Sequence, residues 1–439
     1  MVRMAEVAGV LQGLLTDTAE EIGRECQLIR RKREFTASSL LSTVVFGFLR
    51  WTNPKWEQLA SLAREFGANV SGQAIEQRFT VALRDSLKKL WEAATKCVVV
   101  SDPRVVPLLQ KFTSVWVGDS TTISLSDDSA DQFPGCGGPE GVGSAAMKLQ
   151  VVWDMISGRL SRMDAEPGKT NDSTSLQQQT PPPAGSLSLY DLGYFNLPRL
   201  QAWKAAGAHW ITRAISDIHV WVDGQSINLY DWLNTQPPGP VDCVVEVGAI
   251  RLRCRVIALR ATDEIASRRR QKAKEKAKKK GRTPTQRHLD TCDWTAFFTS
   301  CDADQLTWKE VVVLYRVRWQ IELLFKLWKS HNLLSTHRST DPVRQLAELY
   351  AKLTAALIQH WLVLTSCWSD VEVSLIKATR LLRDQLPFLI AALTDLERLT
   401  TALARCATLL QKLARIPKRQ RQPSNPQLLA NSELLTYTS

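Results

Sequence analysis

The 439-residue sequence has no C-x-x-C pair, no P-loop or dinucleotide-binding glycine fingerprint, and no apolar run long enough to cross a bilayer. Its nine cysteines are odd in number and scattered, so neither a disulfide framework nor a zinc site is indicated and reduced thiols are expected. The glycine-rich stretch PGCGGPEGVGS (134–144) lacks nucleotide-binding spacing and reads as a flexible connection. The most membrane-like stretch, 353–368, is short and broken by Gln359 and His360, which predicts a buried helix. No signal-peptide run precedes Asp17, Glu20 and Glu21, so a cytoplasmic protein without a membrane partner is expected. Acids are also in deficit. Lysine and arginine total 56 against 44 aspartate and glutamate, giving a net charge of +12 and a pI near 9.3. That excess favours a polyanionic partner, nucleic acid before an acidic membrane surface.

Apolar residues at 44% and charged residues at 23% are ordinary for a globular chain, and the length suggests two or three domains. Residues 1–105 read as helical. Asn53-Pro54 starts a helix that Gly67 stops, and a second begins near Ser71. This is a helix-turn-helix pattern in which Gln73, Gln77, Arg78 and Arg84 would face DNA; an ordinary antiparallel helix pair fits equally well. Residues 106–207 carry strands at 112–125, 147–155, 160–165 and 187–190, then a helix at 198–207. Short apolar runs over 208–303 predict a β-rich insertion, interrupted by a basic run at 267–282 that reads as a solvated loop. Residues 304–368 read as helices at 306–330 and 342–366. Residues 369–439 read as further helices ending in a flexible basic tail.

The sharpest signal lies in the first of those late helices. At about 100° per residue, Arg318, Glu322 and Lys329 fall within about 40° of one another, with Tyr315 about 60° from Arg318. Leu314, Val317, Ile321, Leu324 and Trp328 form a neighbouring stripe suited to packing. A carboxylate on such a seam can hold a metal while its basic neighbours hold phosphate oxygens. A solvated face with an i, i+4 ion pair is the plainer reading.

Tyr-x2-Arg-x3-Glu-x6-Lys resembles the signature of bacterial insertion-sequence transposases of the family numbered four, within the DDE superfamily. Asp119-Ser120-Thr121 resembles that family's first acidic motif, and Asp191-Leu-Gly193-Tyr194-Phe195 its second. Phe133-Pro-Gly135, Met147-Lys148-Leu149 and the strand ending in Arg213 resemble intervening landmarks, so the likeness covers about 110–340. Alone, Asp119 reads as a strand-edge aspartate and Asp191 as turn chemistry; the order of the motifs favours the catalytic reading.

The resemblance implies an α/β (α+β) fold: an RNase H-like core, split at 106–207 and 304–368 around the insertion, flanked by an N-terminal DNA-binding region and C-terminal helices. It implies catalysis by Asp119, Asp191 and Glu322 with Mg²⁺ or Mn²⁺, two ions in number. The reaction would be cut-and-paste cleavage and strand transfer on double-stranded DNA, at element ends and target, by a nucleoid-associated bacterial homodimer. A hairpin intermediate is one route, with Trp294 stacking a flipped base and Tyr315, Arg318 and Lys329 gripping phosphate. For Trp294, a core tryptophan at a strand start is the equal alternative. A catalytically silent DNA-binding descendant and an RNase H-like nuclease without strand transfer are the competing functions.

Overall fold

The computed structural model describes residues 2–31, 34–99, 101–136, 144–175, 179–279, 281–416 and 425–435. Most of the glycine-rich stretch (137–143), part of the proline-rich segment (176–178) and the basic tail (417–424) lie outside the described residues. The strands are β1 (Val115–Leu125), β2 (Ala145–Asp154), β3 (Leu160–Pro167), β4 (Leu187–Tyr190), β5 (His209–Arg213), β6 (His219–Val222), β7 (Gln225–Asn228), β8 (Val241–Val247), β9 (Leu252–Arg260) and β10 (Trp294–Thr299). The chain forms two compact units. One comprises Met1–Arg104, Ser120–Thr170 and Gln320–Lys418; the other comprises Val105–Asp119, Asn171–Trp319 and Arg419–Ser439.

The first unit is mostly helical and contains the end of β1 with the antiparallel pair β2 and β3. Its central helix, Pro342–Cys367, is buried at every position from 345 to 364, with the buried charges of Glu348 and Lys352 lying an i, i+4 step apart. The membrane-like stretch is therefore core, and no described helix is long and apolar enough to cross a membrane. The helices Ala37–Trp51 and Val81–Lys96 pack against it.

Trp56–Glu65 is a helix stopped by Gly67, whose φ of +78° is the left-handed stop anticipated there. The second helix of the anticipated pair is interrupted, however. Gly72–Glu76 spans five residues and Val81–Lys96 begins separately after its N-cap Thr80. Gln73 and Arg84 thus lie on different helices, Arg78 packs its guanidinium over Phe35, and Arg84 is paired with Asp85 at 2.7 Å.

Between β2 and β3, Gly158 adopts φ +75°, and a Cβ there would stand 2.2 Å from Leu364 Cδ1. The carbonyl of Gly158 accepts from His360 Nε2 (2.8 Å) and from Trp153 Nε1 (2.8 Å). Burial holds the His360 pKa down to about 4, from 6.5, against the raising effect of that bond. The unfolded chain takes up this proton near 6.5 and the folded chain only near 4. The resulting stabilisation is complete above pH 6.5 and is lost as pH falls towards 4, by about 3 kcal/mol. His337, also held near 4 by burial and Lys352, acts in the same direction. The urea midpoint should drop between pH 7 and pH 4, and His360→Gln should shrink that drop; an undiminished drop would refute the assignment.

In the second unit the strand order is β1-β4-β5-β10-β9-β8-β6-β7. β1, β4 and β5 run parallel, and the pairings from β5 onward are antiparallel. Val115, Val117, Leu187, Leu189 and Ile211 are fully buried in the parallel part, as parallel strands covered on both faces require. β7, absent from the sequence reading, pairs with β6 across Asp223-Gly224. Both turn residues have positive φ (+49° and +78°), the geometry that favours Asp-Gly in a two-residue hairpin.

Two expectations are corrected here. The basic run is not a loop: Asp263–Lys279 is a helix. It has no glycine or proline, is rich in strong helix formers, and carries Asp263 and Glu264 in its first turn and Lys276, Lys278 and Lys279 in its last. The segment 306–330 is not one regular helix. Trp308–Val317 and Trp319–Lys326 are separated at Arg318, whose N–H bonds the carbonyl of Tyr315 (3.2 Å), and Leu327–His331 is a π-turn.

Candidate active site

β1 and β4 pair in parallel with Gly118 opposite Tyr190. One residue further along each chain stand Asp119 and Asp191, on neighbouring strands about 4.8 Å apart. Side chains alternate across a sheet, so the two acids share the face opposite Gly118 and Tyr190. Tyr190 fills the space over Gly118 and packs on Tyr194 and on Trp203 of the helix Leu197–Ala205. Asp191 opens the short turn Leu192–Tyr194 with no hydrogen bond from its side chain to that turn. Its carboxylate has no hydrogen-bond or ion-pair partner among the described residues, so turn capping does not account for an acid there.

Two residues of the signature segment, Tyr315 and Arg318, reach these strands. Arg318 Nη1 donates to Asp119 Oδ2 at 3.2 Å, with both side chains largely buried (14% and 19% exposed). Tyr315 is 9% exposed, packs on Phe297 and donates its phenol O–H to the carbonyl of Tyr190 (3.2 Å). Burial, with Asp191 adding to it, pushes the phenol pKa far up, against the pull of Arg318 and Arg213. Tyr315 therefore ties the end of β4 in place, immediately before Asp191, rather than presenting a hydroxyl to phosphate.

Glu322 is half-buried in the first turn of Trp319–Lys326, four residues beyond Arg318, and belongs to the other compact unit. Lys329 lies in that unit as well, on the π-turn. It is half-buried with no ion-pair or hydrogen-bond partner among the described residues, and burial holds its ammonium below the ordinary value. The extra residue of a π-turn shifts Lys329 from the angular position that a regular helix gives it.

Trp294 departs from the DNA-stacking expectation. It is 2% exposed at the start of β10, its indole N–H donates to Asn234 Oδ1 (2.9 Å), and the guanidinium of Arg260 lies 5.6 Å from its ring centre. No ring face is open to a base. Trp319, beside Arg318, is the exposed aromatic of the signature segment at 53%, and sequence periodicity gave no reason to single it out. Arg213, at the end of β5, is half-buried with no hydrogen-bond or ion-pair partner among the described residues.

Among the described residues, no three His, Cys, Asp or Glu side chains already stand as a metal-binding group. The donor chemistry still suits a hard divalent cation. Adjacent carboxylates repel when ionised, one of them already draws a guanidinium, and the other has no partner.

The profile of the family described as transposase DDE domain matches residues 110–358. The chain belongs to that family. Its members are enzymes that cut and transfer DNA strands, generally dependent on a divalent metal, with an RNase H-like core; DNA is accordingly the partner of this transposase. The chain is 26% identical to the transposase for insertion sequence element IS231F of Bacillus thuringiensis subsp. israelensis, over 90% of its own length and 88% of that protein. It is 26% identical to the transposase for insertion sequence element IS1151 of Clostridium perfringens, over 80% and 79% of the two lengths. A shorter stretch of 81 residues is 35% identical to the putative transposase InsL for insertion sequence element IS186A of Escherichia coli, covering 18% of this chain and 22% of that one. These likenesses bear out the expectation of an insertion-sequence transposase and extend well beyond the 110–340 window that the motifs marked out.

Proposed function

We propose that this transposase mobilises an insertion sequence in bacteria by cut-and-paste, with Asp119, Asp191 and Glu322 holding two Mg²⁺ or Mn²⁺ ions. The observation that carries the reading is the placement of Asp119 within β1 and Asp191 just past the end of β4, each one residue beyond the Gly118–Tyr190 pair, with Asp191 unpartnered among the described residues. The ions, once bound, would supply positive charge for the attacking and leaving oxygens of in-line phosphoryl transfer. Arg318 neutralises Asp119 and brings a guanidinium, a group suited to phosphate oxygens, beside it. Lys329, without an ion-pair partner among the described residues and partly desolvated, is suited to a second phosphate contact. Tyr315 positions the end of β4. Helices of 1–105 would contribute to DNA binding, and the active form would be a homodimer at the nucleoid pairing two element ends. Hairpin formation stays open, but the buried ring of Trp294 would have to leave its pocket to take part.

Incubation with linear DNA carrying the element's ends, followed by sizing of products, tests this. Wild type should give both nicked and joined products in Mg²⁺. Nicks without joints would favour a nuclease lacking strand transfer, and neither product would favour a silent DNA-binding descendant.

A further inference from the structure

The basic helix Asp263–Lys279 takes no part in the chemistry above. Its residues sort by helical phase. Ala266 is buried and Arg269, Arg270, Ala273 and Ala277 are half-buried, an inner stripe at i, i+3, i+4, i+7 and i+11. Arg269 Nη1 donates to the carbonyls of Cys292 (3.3 Å) and Trp294 (3.2 Å), and its Nη2 to Thr295 Oγ1 (2.9 Å). Arg270 pairs with Asp293. Two arginines thus dock the helix onto the segment that opens β10.

The other cations face solvent. Arg268 is paired with Glu264 at 2.6 Å. Lys272, Lys274, Lys276, Lys278 and Lys279 are exposed, with no ion-pair partner among the described residues. Lys272, Lys276 and Lys279 fall within about 60° of helix and about 10 Å of its length. At about 3.4 Å of duplex axis per phosphate of one strand, a row lying along that axis spans about three phosphates. The docked end is linked to the aspartates by geometry: Phe297, two residues beyond Thr295 on β10, pairs with Arg213 and packs on Tyr315, which bonds the carbonyl of Tyr190 next to Asp191.

We propose that this helix is a preformed rail for the phosphate backbone of duplex DNA beside the cleaved position, docked by Arg269 and Arg270 and carrying its contacts on the row Lys272, Lys276 and Lys279. The choice of DNA as the polyanion rests on the strand-cleavage reading. The geometry of the rail does not.

The test uses the full chain, no divalent metal and a fluorescent duplex of arbitrary sequence, with affinity measured across a salt series. Replacing Lys272, Lys274, Lys276, Lys278 and Lys279 by Gln preserves helix propensity, which circular dichroism checks. The slope of log affinity against log salt should fall by about 3, at about 0.9 per lost phosphate contact. Ala273→Pro keeps every charge but breaks the helix, and should also weaken duplex binding. An unchanged slope in the lysine variant overturns the proposal, and so does full affinity in Ala273→Pro. Tighter binding of wild type to RNA or to anionic phospholipid vesicles than to DNA would reassign the partner and overturn it too. Because nothing here depends on cleavage, a protein that binds with the expected slope yet never nicks DNA sinks only the catalytic reading.

Discussion

Glu322→Gln should abolish strand cleavage and joining while leaving DNA affinity near that of wild type. The substitution keeps the shape and hydrogen-bonding reach of the side chain and removes its charge. Glu322 is half-buried on the exposed side of a helix whose packing comes from Ile321, Leu324 and Phe325, so the fold should tolerate it. The loss should fall on the stabilisation of charge developing in phosphoryl transfer, about 10³-fold or more in rate, equivalent to about 4 kcal/mol. Gel quantification of nicked and joined products, beside anisotropy measurements of binding, separates the two effects. Cleavage within tenfold of wild type would remove Glu322 from the proposed triad.

Gly118→Ala should destabilise the protein and reduce activity further than the stability loss alone explains. A Cβ at Gly118 would stand 1.8 Å from Tyr190 Cε1 and 2.5 Å from its Cζ, distances that real atoms do not adopt. The Tyr190 ring cannot simply swing away, because Tyr194 and Trp203 pack against it with centroids 5.1 and 5.6 Å distant. Overpacking of this kind costs about 1–3 kcal/mol. The strain would enter at the Gly118–Tyr190 pair of the parallel ladder, one residue before both Asp119 and Asp191, so their separation should change as the strands part. Urea denaturation should show a lower midpoint, and cleavage assayed at a temperature where the variant stays folded should still be impaired. A variant as stable as wild type would mean that Tyr190 has room that the close approach denies.

The family was legible because its motifs have an order and spacing that can be read along one chain. The parallel strands were legible too, since Val115, Val117, Leu187 and Leu189 form the apolar runs that burial on both faces demands. The hairpin at Asp223-Gly224 carried a readable turn signal that went unused. The basic run was misread because charge density was weighed above helix propensity, and because the anchoring of Arg269 and Arg270 joins residues more than twenty positions apart.

By itself the sequence determined an excess of basic charge, a Tyr-Arg-Glu-Lys series and two earlier aspartate motifs in the order of a DNA-processing family. Periodicity and local propensity act over a few residues, and those features are local. Only the tertiary structure decided which member of each local group faces what. It closed Trp294 behind Asn234, gave the phenol of Tyr315 to the carbonyl of Tyr190, and brought the guanidinium of Arg318 to Asp119. Burial and hydrogen-bond partners are set by segments far apart in sequence, so the same tryptophan or tyrosine can serve as a DNA contact or as a strut with no change in its neighbours along the chain.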